Sequence, residues 1–198
     1  MVYVTYHFVN LKLKSRPDYY VNYLLTILKP IDICYSMMYN IIKEERGDNN
    51  MKNSKWIYFD MDGTLNRFYE VEGWLDMLIA SDPAPYKLAA PLVNMNVLAR
   101  RLNKLQRAGY KIGIISWLSK DATSEYDEAV TAAKLAWLNK HLHSVKWDAV
   151  NIVAYGRNKW EICGEGILFD DEDKNRNAWG DKAYHPSVMM EVLSSLLA

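Results

Sequence analysis

The sequence has little cysteine and no excess of charge of either sign. Its two thiols, Cys34 and Cys163, lie far apart, so they provide neither a disulfide framework nor the paired spacing of a thiolate metal site. The 24 basic residues equal the 24 acidic ones, which leaves no overall field to attract extended nucleic acid or an anionic membrane. The composition therefore predicts a soluble protein, and its low cysteine content fits a cytoplasmic one.

Long apolar runs are also missing. The most apolar stretch, residues 19–42, is interrupted by Lys29, Pro30 and Asp32, so no run reaches the roughly 20 residues that a membrane helix needs. The same stretch lacks the small-residue cleavage site of a signal peptide. We therefore expect no membrane association, and the sequence gives no indication of an oligomeric state.

The chain divides into a short first part and one domain. Its 198 residues suffice for a single full core, which we assign to residues 51–198. Residues 1–50 end in the polar stretch KEERGDNN, directly ahead of Met51. One hypothesis is that Met51 is the true initiator, because Glu-Glu-Arg-Gly-Asp can be encoded by a purine-rich, ribosome-binding-like stretch. The alternative is a genuine helical extension used for dimerisation or docking.

The stretch KWIYFDMDGTL, residues 55–65, dominates the domain. Its apolar run Trp56–Phe59 predicts a short buried strand of a parallel sheet. Two carboxylates, Asp60 and Asp62, follow the run, and Gly63 supplies a turn. Open α/β sheets bind ligands at the carboxyl ends of their strands, so this loop is the first candidate for a functional site.

Further strands are predicted at 110–116, 148–155 and 166–169, and helices at 70–80, 96–108, 124–142 and 186–197. Polar residues follow the strands: Ser116, then Lys159, then the acidic run that begins with Asp170 and Asp171. Carboxylates that meet at one sheet edge repel strongly unless a cation lies between them. The pattern therefore predicts a divalent metal ion at the carboxyl edge of the sheet.

The string DMDGT, with Ser116, Lys159 and the pair Asp170-Asp171 after later strands, resembles the four motifs of the haloacid-dehalogenase-like (HAD) phosphatases, in the same order. The resemblance implies an α/β fold, a Rossmann-like three-layer sandwich with a central parallel sheet and a small helical cap inserted after the first strand. It also implies that Asp60 is the nucleophile and Asp62 the general acid/base.

The same resemblance implies roles for the remaining polar residues. Ser116 would hold a phosphoryl oxygen, and Lys159 would offset phosphate charge, with Lys146 as the alternative lysine. Mg²⁺ is the implied cofactor, and which acid of the 170–171 pair binds it directly stays open. The implied metal ligands are Asp60, the Asp62 backbone carbonyl, Asp171 and, in a supporting place, Asp170.

Residues 66–96 would form the cap. Their aromatic side chains, among them Phe68 and Trp74, suit stacking on a base or another ring, but they suit the internal packing of a cap equally well. Further contacts to the substrate phosphate are expected from the backbone amides near Met61, from Gly63 and Thr64, and from Arg157.

Within the HAD proteins, the short cap, the Arg-Asn-Lys sequence and the ILFDD stretch look most like the 5′(3′)-deoxyribonucleotidase group. That likeness implies hydrolysis of (deoxy)nucleoside monophosphates. Two other enzymatic interpretations remain, a phosphatase for nucleic-acid ends and one for a sugar phosphate. A non-catalytic HAD fold used for binding is the alternative from another functional class.

Overall fold

A computed structural model describes residues 55–120 and 122–198 of the chain. The predictions for residues 1–50 and for Met51 lie outside these ranges. The strands are β1 (Trp56–Phe59), β2 (Lys111–Trp117), β3 (Ala149–Val153), β4 (Ile167–Phe169) and β5 (Ala183–Tyr184). The α-helices are α1 (Trp74–Ile79), α2 (Ala84–Leu88), α3 (Met95–Arg107), α4 (Ser124–Leu142), α5 (Lys159–Cys163), α6 (Asp173–Trp179) and α7 (Met189–Ser195).

The five strands form one parallel sheet in the order β3-β2-β1-β4-β5. The first described strand, β1, lies in the middle of the sheet, with β2 and β3 on one side and β4 and β5 on the other, so the direction of the strand order changes between β1 and β4. The α/β fold class predicted from the sequence is confirmed. Strand β5 was not predicted, because two residues are too short to show a periodicity.

The sheet is covered on both faces, since successive residues of a strand point to opposite sides. Ile57 and Phe59 of β1 pack into a core that includes side chains of α3, α4 and α7. Tyr58 points the other way and packs against Trp179 of α6 and Ile162 of α5. The three layers are therefore helices, sheet and helices, as the sequence predicts.

A small aromatic cluster lies between β1 and α3. A 3₁₀ turn (Phe68–Glu70), α1 and α2 form this part, which lies within the predicted cap range and is called the cap below. Phe68 and Tyr86 pack there against Tyr126 and Val130 of α4. The helix predicted over 70–80 is shorter than expected, because its first residues belong to the 3₁₀ turn and to the bend that follows it. Within the described residues, no helix has both the length and the apolar character that crossing a bilayer requires.

Candidate active site

Three carboxylates meet where β1 and β4 end side by side. Phe59 and Phe169 are register partners at the ends of these strands, and the Asp60 amide donates to the Phe169 carbonyl at 2.9 Å. Asp60 and the pair Asp170-Asp171 therefore follow the sheet at neighbouring positions on its edge. One oxygen from each of the three side chains lies within 4.8 Å of the others.

Lys159 is the counter-charge inside this group. Its Nζ lies 3.0 Å from Asp60 Oδ1 and 2.6 Å from Asp170 Oδ2, and the residue is 2% exposed. Helix α5 begins at Lys159 and is capped by Asn158, whose Oδ1 accepts from the Trp160 amide at 3.0 Å. Burial would lower the pKa of Lys159, but the two carboxylates outweigh it, and the pKa is raised. The lysine is therefore held as a cation.

The two adjacent acids occupy different environments. Asp170 is fully buried and accepts hydrogen bonds from Lys159, from Asn175 Nδ2 at 3.1 Å and from the Glu172 amide at 2.9 Å. Asp171 instead faces the cavity that lies above the strand ends. Burial, then the charge of Asp60, raises the pKa of Asp170 to about 6 and that of Asp171 to about 7.

The loop after β1 holds Asp171 in place. The buried Thr64 hydroxyl accepts from the Asp171 amide at 3.1 Å and donates to Asp171 Oδ1 at 3.4 Å. Gly63 has a φ of +73° and lies so close that an added Cβ would come within 2.6 Å of Asp171 Cγ. Gly63 and Thr64 thus contact the acidic cluster through Asp171.

Replacing Gly63 by alanine is expected to lower the Mg²⁺-dependent phosphatase activity that the sequence predicts by about a hundredfold. The methyl group would displace the Asp171 carboxylate and would also strain the positive φ. Activity should be measured beside Gly156→Ala, whose φ is +80° but whose added Cβ meets nothing within 4 Å. Equal losses in both variants would show that backbone strain, and not the contact with Asp171, is responsible.

Asp62 and Ser116 are joined by a residue that sequence reasoning missed, Lys134 of α4. Its Nζ lies 2.6 Å from Asp62 Oδ2, 2.8 Å from Ser116 Oγ and 2.7 Å from the Trp117 carbonyl. Burial raises the pKa of Asp62, and Lys134 offsets part of that rise. Ser116 is fully buried at the end of β2 and is not part of the cavity wall.

A cavity of about 490 Å³ opens above the strand ends. Asp60, Asp62, Lys159 and Asp171 lie in its wall. The remaining wall is largely aromatic and aliphatic, and its rings come from both the cap and the loops after the strands: Phe68, Tyr69, Trp74, Tyr86, Trp117 and Tyr155. This volume suits a small-molecule ligand.

The rings predicted to contact substrate line the cavity and also pack against one another. Phe68 is 3% exposed and lies against Trp74 and Tyr86, at ring-centroid distances of 5.6 and 4.7 Å. Both Phe68 and Trp74 line the cavity while they pack within the cap. Tyr69, which is 47% exposed, presents more of its ring.

Met61 and Arg157 do not bring their side chains to the cavity wall. The Met61 side chain is fully buried in the core, and its carbonyl accepts from the amides of Thr64, Leu65 and Asn66. The phosphate contact expected there involves backbone amides and stays a prediction. Arg157 is exposed in the turn after β3, and its carbonyl accepts from Trp117 Nε1 at 2.9 Å.

The acidic cluster has the chemistry of a divalent-cation site. Three carboxylates share it with one lysine, and oxygen donors of this kind suit Mg²⁺. The residues that would hold the ion are Asp60, Asp170 and Asp171. The Asp62 carboxylate lies outside this group and pairs with Lys134, while its backbone carbonyl remains a predicted ligand.

Mg²⁺ is expected to raise the melting temperature by a few degrees near pH 8 and by much less near pH 5. The folded pKa values of Asp170 and Asp171 lie above the ordinary value of about 3.9. Folding therefore takes up protons, and the metal-free protein loses stability as the pH rises from about 4 through about 7. As the pH rises through this range, Asp170 and Asp171 become charged and repel each other, and a bound Mg²⁺ offsets that repulsion.

Thermal melts in EDTA and in Mg²⁺ at both pH values would measure this effect. Asp171→Asn should lose most of the shift, whereas Asp173→Asn, whose side chain is 86% exposed, should retain it. A Mg²⁺ shift that is independent of pH would contradict the prediction.

No protein-family model and no curated protein matches the chain. Among solved structures, it is similar to a D,D-heptose 1,7-bisphosphate phosphatase from Burkholderia thailandensis, with 14% sequence identity and a TM-score of 0.41. The alignment covers 64% of this chain and 72% of the other. This likeness is distant and carries no conclusion about function.

Proposed function

We propose that the chain is a phosphomonoester hydrolase of the HAD type, acting through an aspartyl-phosphate. The observation that carries the proposal is the meeting of Asp60, Asp170 and Asp171 around the buried Lys159 at one wall of a cavity. A dianionic phosphate is repelled by such a cluster unless the cluster also holds a metal ion. Mg²⁺ bound there would neutralise phosphate charge and let an anionic nucleophile approach.

Asp60 is the proposed nucleophile. Lys159 holds its Oδ1 from one side, which fixes the orientation of the carboxylate beside the cavity. In the first step an Asp60 oxygen forms a bond to phosphorus while the bond from phosphorus to the ester oxygen breaks. Lys159 also supplies positive charge at the place where the transferring group gathers negative charge.

Asp62 is the proposed acid and base. It lies two residues beyond the nucleophile and lines the same cavity, so its proton can pass to the departing ester oxygen in the first step. In the second step it accepts a proton from a water molecule as the water oxygen attacks phosphorus. The bond from phosphorus to Asp60 then breaks, which releases inorganic phosphate and restores the carboxylate.

The proposed substrates are (deoxy)nucleoside monophosphates. The support is the aromatic part of the cavity wall, where the half-exposed Tyr69 and the neighbouring rings of Trp117 and Tyr155 offer faces and edges to a planar group. A nucleotide whose phosphate lies beside Asp60 and Lys159 would have its base among these rings, since all of them line one cavity.

A substrate panel tests both levels of the proposal. The purified full chain with Mg²⁺ should hydrolyse p-nitrophenyl phosphate and, with higher kcat/KM, nucleoside 5′- or 3′-monophosphates. Sugar phosphates and 5′-phosphorylated oligonucleotides serve as competitors in the same panel. A preference for either competitor would overturn nucleotide specificity alone. Absence of Mg²⁺-dependent hydrolysis of every ester would overturn the phosphatase proposal and favour a non-catalytic binding protein.

A further inference from the structure

A lysine occupies the apolar face of the longest described helix, α4. Lys134 lies on the same stripe as Val130, Ala133, Trp137 and Leu138, and it is fully buried. Lysine is rarely found in such a place without partners that satisfy its charge. The partners of Lys134 therefore indicate what the residue does.

All three Nζ hydrogens of Lys134 have acceptors. These are Asp62 Oδ2 at 2.6 Å, Ser116 Oγ at 2.8 Å and the Trp117 carbonyl at 2.7 Å. The ammonium group also lies 5.0 Å from the centre of the Tyr86 ring, which belongs to the cap. Lys134 thus ties the loop after β1 to the end of β2.

The two carboxylate oxygens of Asp62 differ in their hydrogen-bond partners. Oδ2 is occupied by Lys134, whereas Oδ1 is buried and has no hydrogen-bond partner among the described residues. The neighbouring acid Asp60 has a lysine of its own, Lys159 at 3.0 Å. Two lysines from two different helices therefore hold the two carboxylates of the loop separately.

We propose that Lys134 is a positioning residue for Asp62: it holds Oδ2 and so fixes the orientation in which the Asp62 carboxyl group exchanges its proton at the cavity wall. The inference rests on the proposed phosphomonoester hydrolase. When the bond to the leaving oxygen breaks, the proton of the Asp62 carboxyl group moves to that oxygen and the electron pair stays on the carboxylate. Lys134 stabilises the charge that forms there. The proton taken from water later returns to the carboxylate.

This role predicts a dependence on the leaving group. An alkoxide needs a proton as it departs, whereas p-nitrophenolate needs almost none. Weaker binding of the phosphoryl group, for example through a displaced Ser116, would affect both kinds of ester equally, since the phosphoryl group is common to them. The ratio of kcat/KM for an alkyl phosphate and for p-nitrophenyl phosphate therefore separates positioning of Asp62 from a merely structural role.

The test compares Lys134→Met with wild type on p-nitrophenyl phosphate and on glycerol 2-phosphate, with kcat/KM as the readout because it covers only the steps through alcohol release. Loss on the alkyl ester should exceed loss on the aryl ester by about tenfold or more. Lys140→Met, an exposed substitution on the same helix, should leave the ratio unchanged. Equal losses on the two esters, or no loss, would overturn the proposal.

A double variant keeps the test decisive if the single variant fails to fold. In Asp62→Asn/Lys134→Met neither partner carries a charge, so no unpaired ion is buried. Relative to Asp62→Asn alone, the added lysine substitution should change kcat/KM for glycerol 2-phosphate by less than about twofold. A further large loss would overturn the proposal. If wild type hydrolyses neither ester, the proposed phosphatase function itself has failed.

Discussion

Replacing Asp60 by asparagine is expected to abolish turnover, with kcat lower by about four orders of magnitude or more. Asparagine has nearly the same shape, but its amide cannot accept a phosphoryl group. Asp170 also lies beside Lys159 and Asp171, but it is fully buried and is not part of the cavity wall, so it does not reach the substrate. The covalent step then has no substitute.

Rapid acid quench with a ³²P-labelled ester would test the intermediate directly. Wild type should retain label on the protein during turnover, and Asp60→Asn should retain none. Asp173→Asn provides a matched control, because it makes the same chemical change in an exposed acid of the run that begins with Asp170. Residual Mg²⁺-dependent activity above about one per cent in Asp60→Asn would contradict the nucleophile assignment.

The sequence was informative wherever the fold follows from local periodicity. Short apolar runs predicted the strands β1 to β4. In a parallel sheet, the residues that follow neighbouring strands lie at the same edge and therefore close together. For this reason Asp60 could be placed near Asp171, although 110 positions of sequence separate them. Helix α4 has the predicted bounds of Ser124–Leu142, because its apolar stripe is long and a threonine caps its start.

Contacts that come from helix faces were harder to predict. The sequence gives little reason to predict Lys134 as a site residue, because lysines are usually solvated. The one indication is its helical spacing, which puts it on the same stripe as Val130, Ala133 and Trp137. Asn175 lies in α6 and contacts Asp170 through its amide, and nothing in its local sequence distinguishes it from a surface asparagine. Such partners are set by how helices pack on the sheet, which local pattern does not determine.

The turn after β3 separates two cations that the sequence alone does not distinguish. Arg157 and Lys159 lie two residues apart in a loop that follows a strand, so both were plausible phosphate contacts. The start of α5 separates them, because Lys159 enters the helix and turns inward to Asp170, while Arg157 stays in the exposed turn. A change of backbone direction over two residues decides which cation reaches the site.

The second large effect is expected from Lys159→Met, which should destabilise the metal-free protein by about 3–5 kcal/mol. The substitution removes the cation from between Asp60 and Asp170 and leaves Asp170, which is fully buried, without a counter-charge. Activity should also fall by about a hundredfold or more, because positive charge is lost where the transferring phosphoryl group gathers negative charge. Lys174→Met, at an exposed position of α6, should change neither quantity.

A second substitution separates the effect on stability from the effect on activity. In Lys159→Met/Asp170→Asn, the unpaired buried charge is gone, so urea unfolding in EDTA should recover at least half of the lost free energy of unfolding. Activity should stay low, since the double variant still lacks the cation beside Asp60. If Lys159→Met has the same free energy of unfolding as wild type in EDTA, the charge of Lys159 does not stabilise the carboxylate cluster. The electrostatic account of the site would then be wrong.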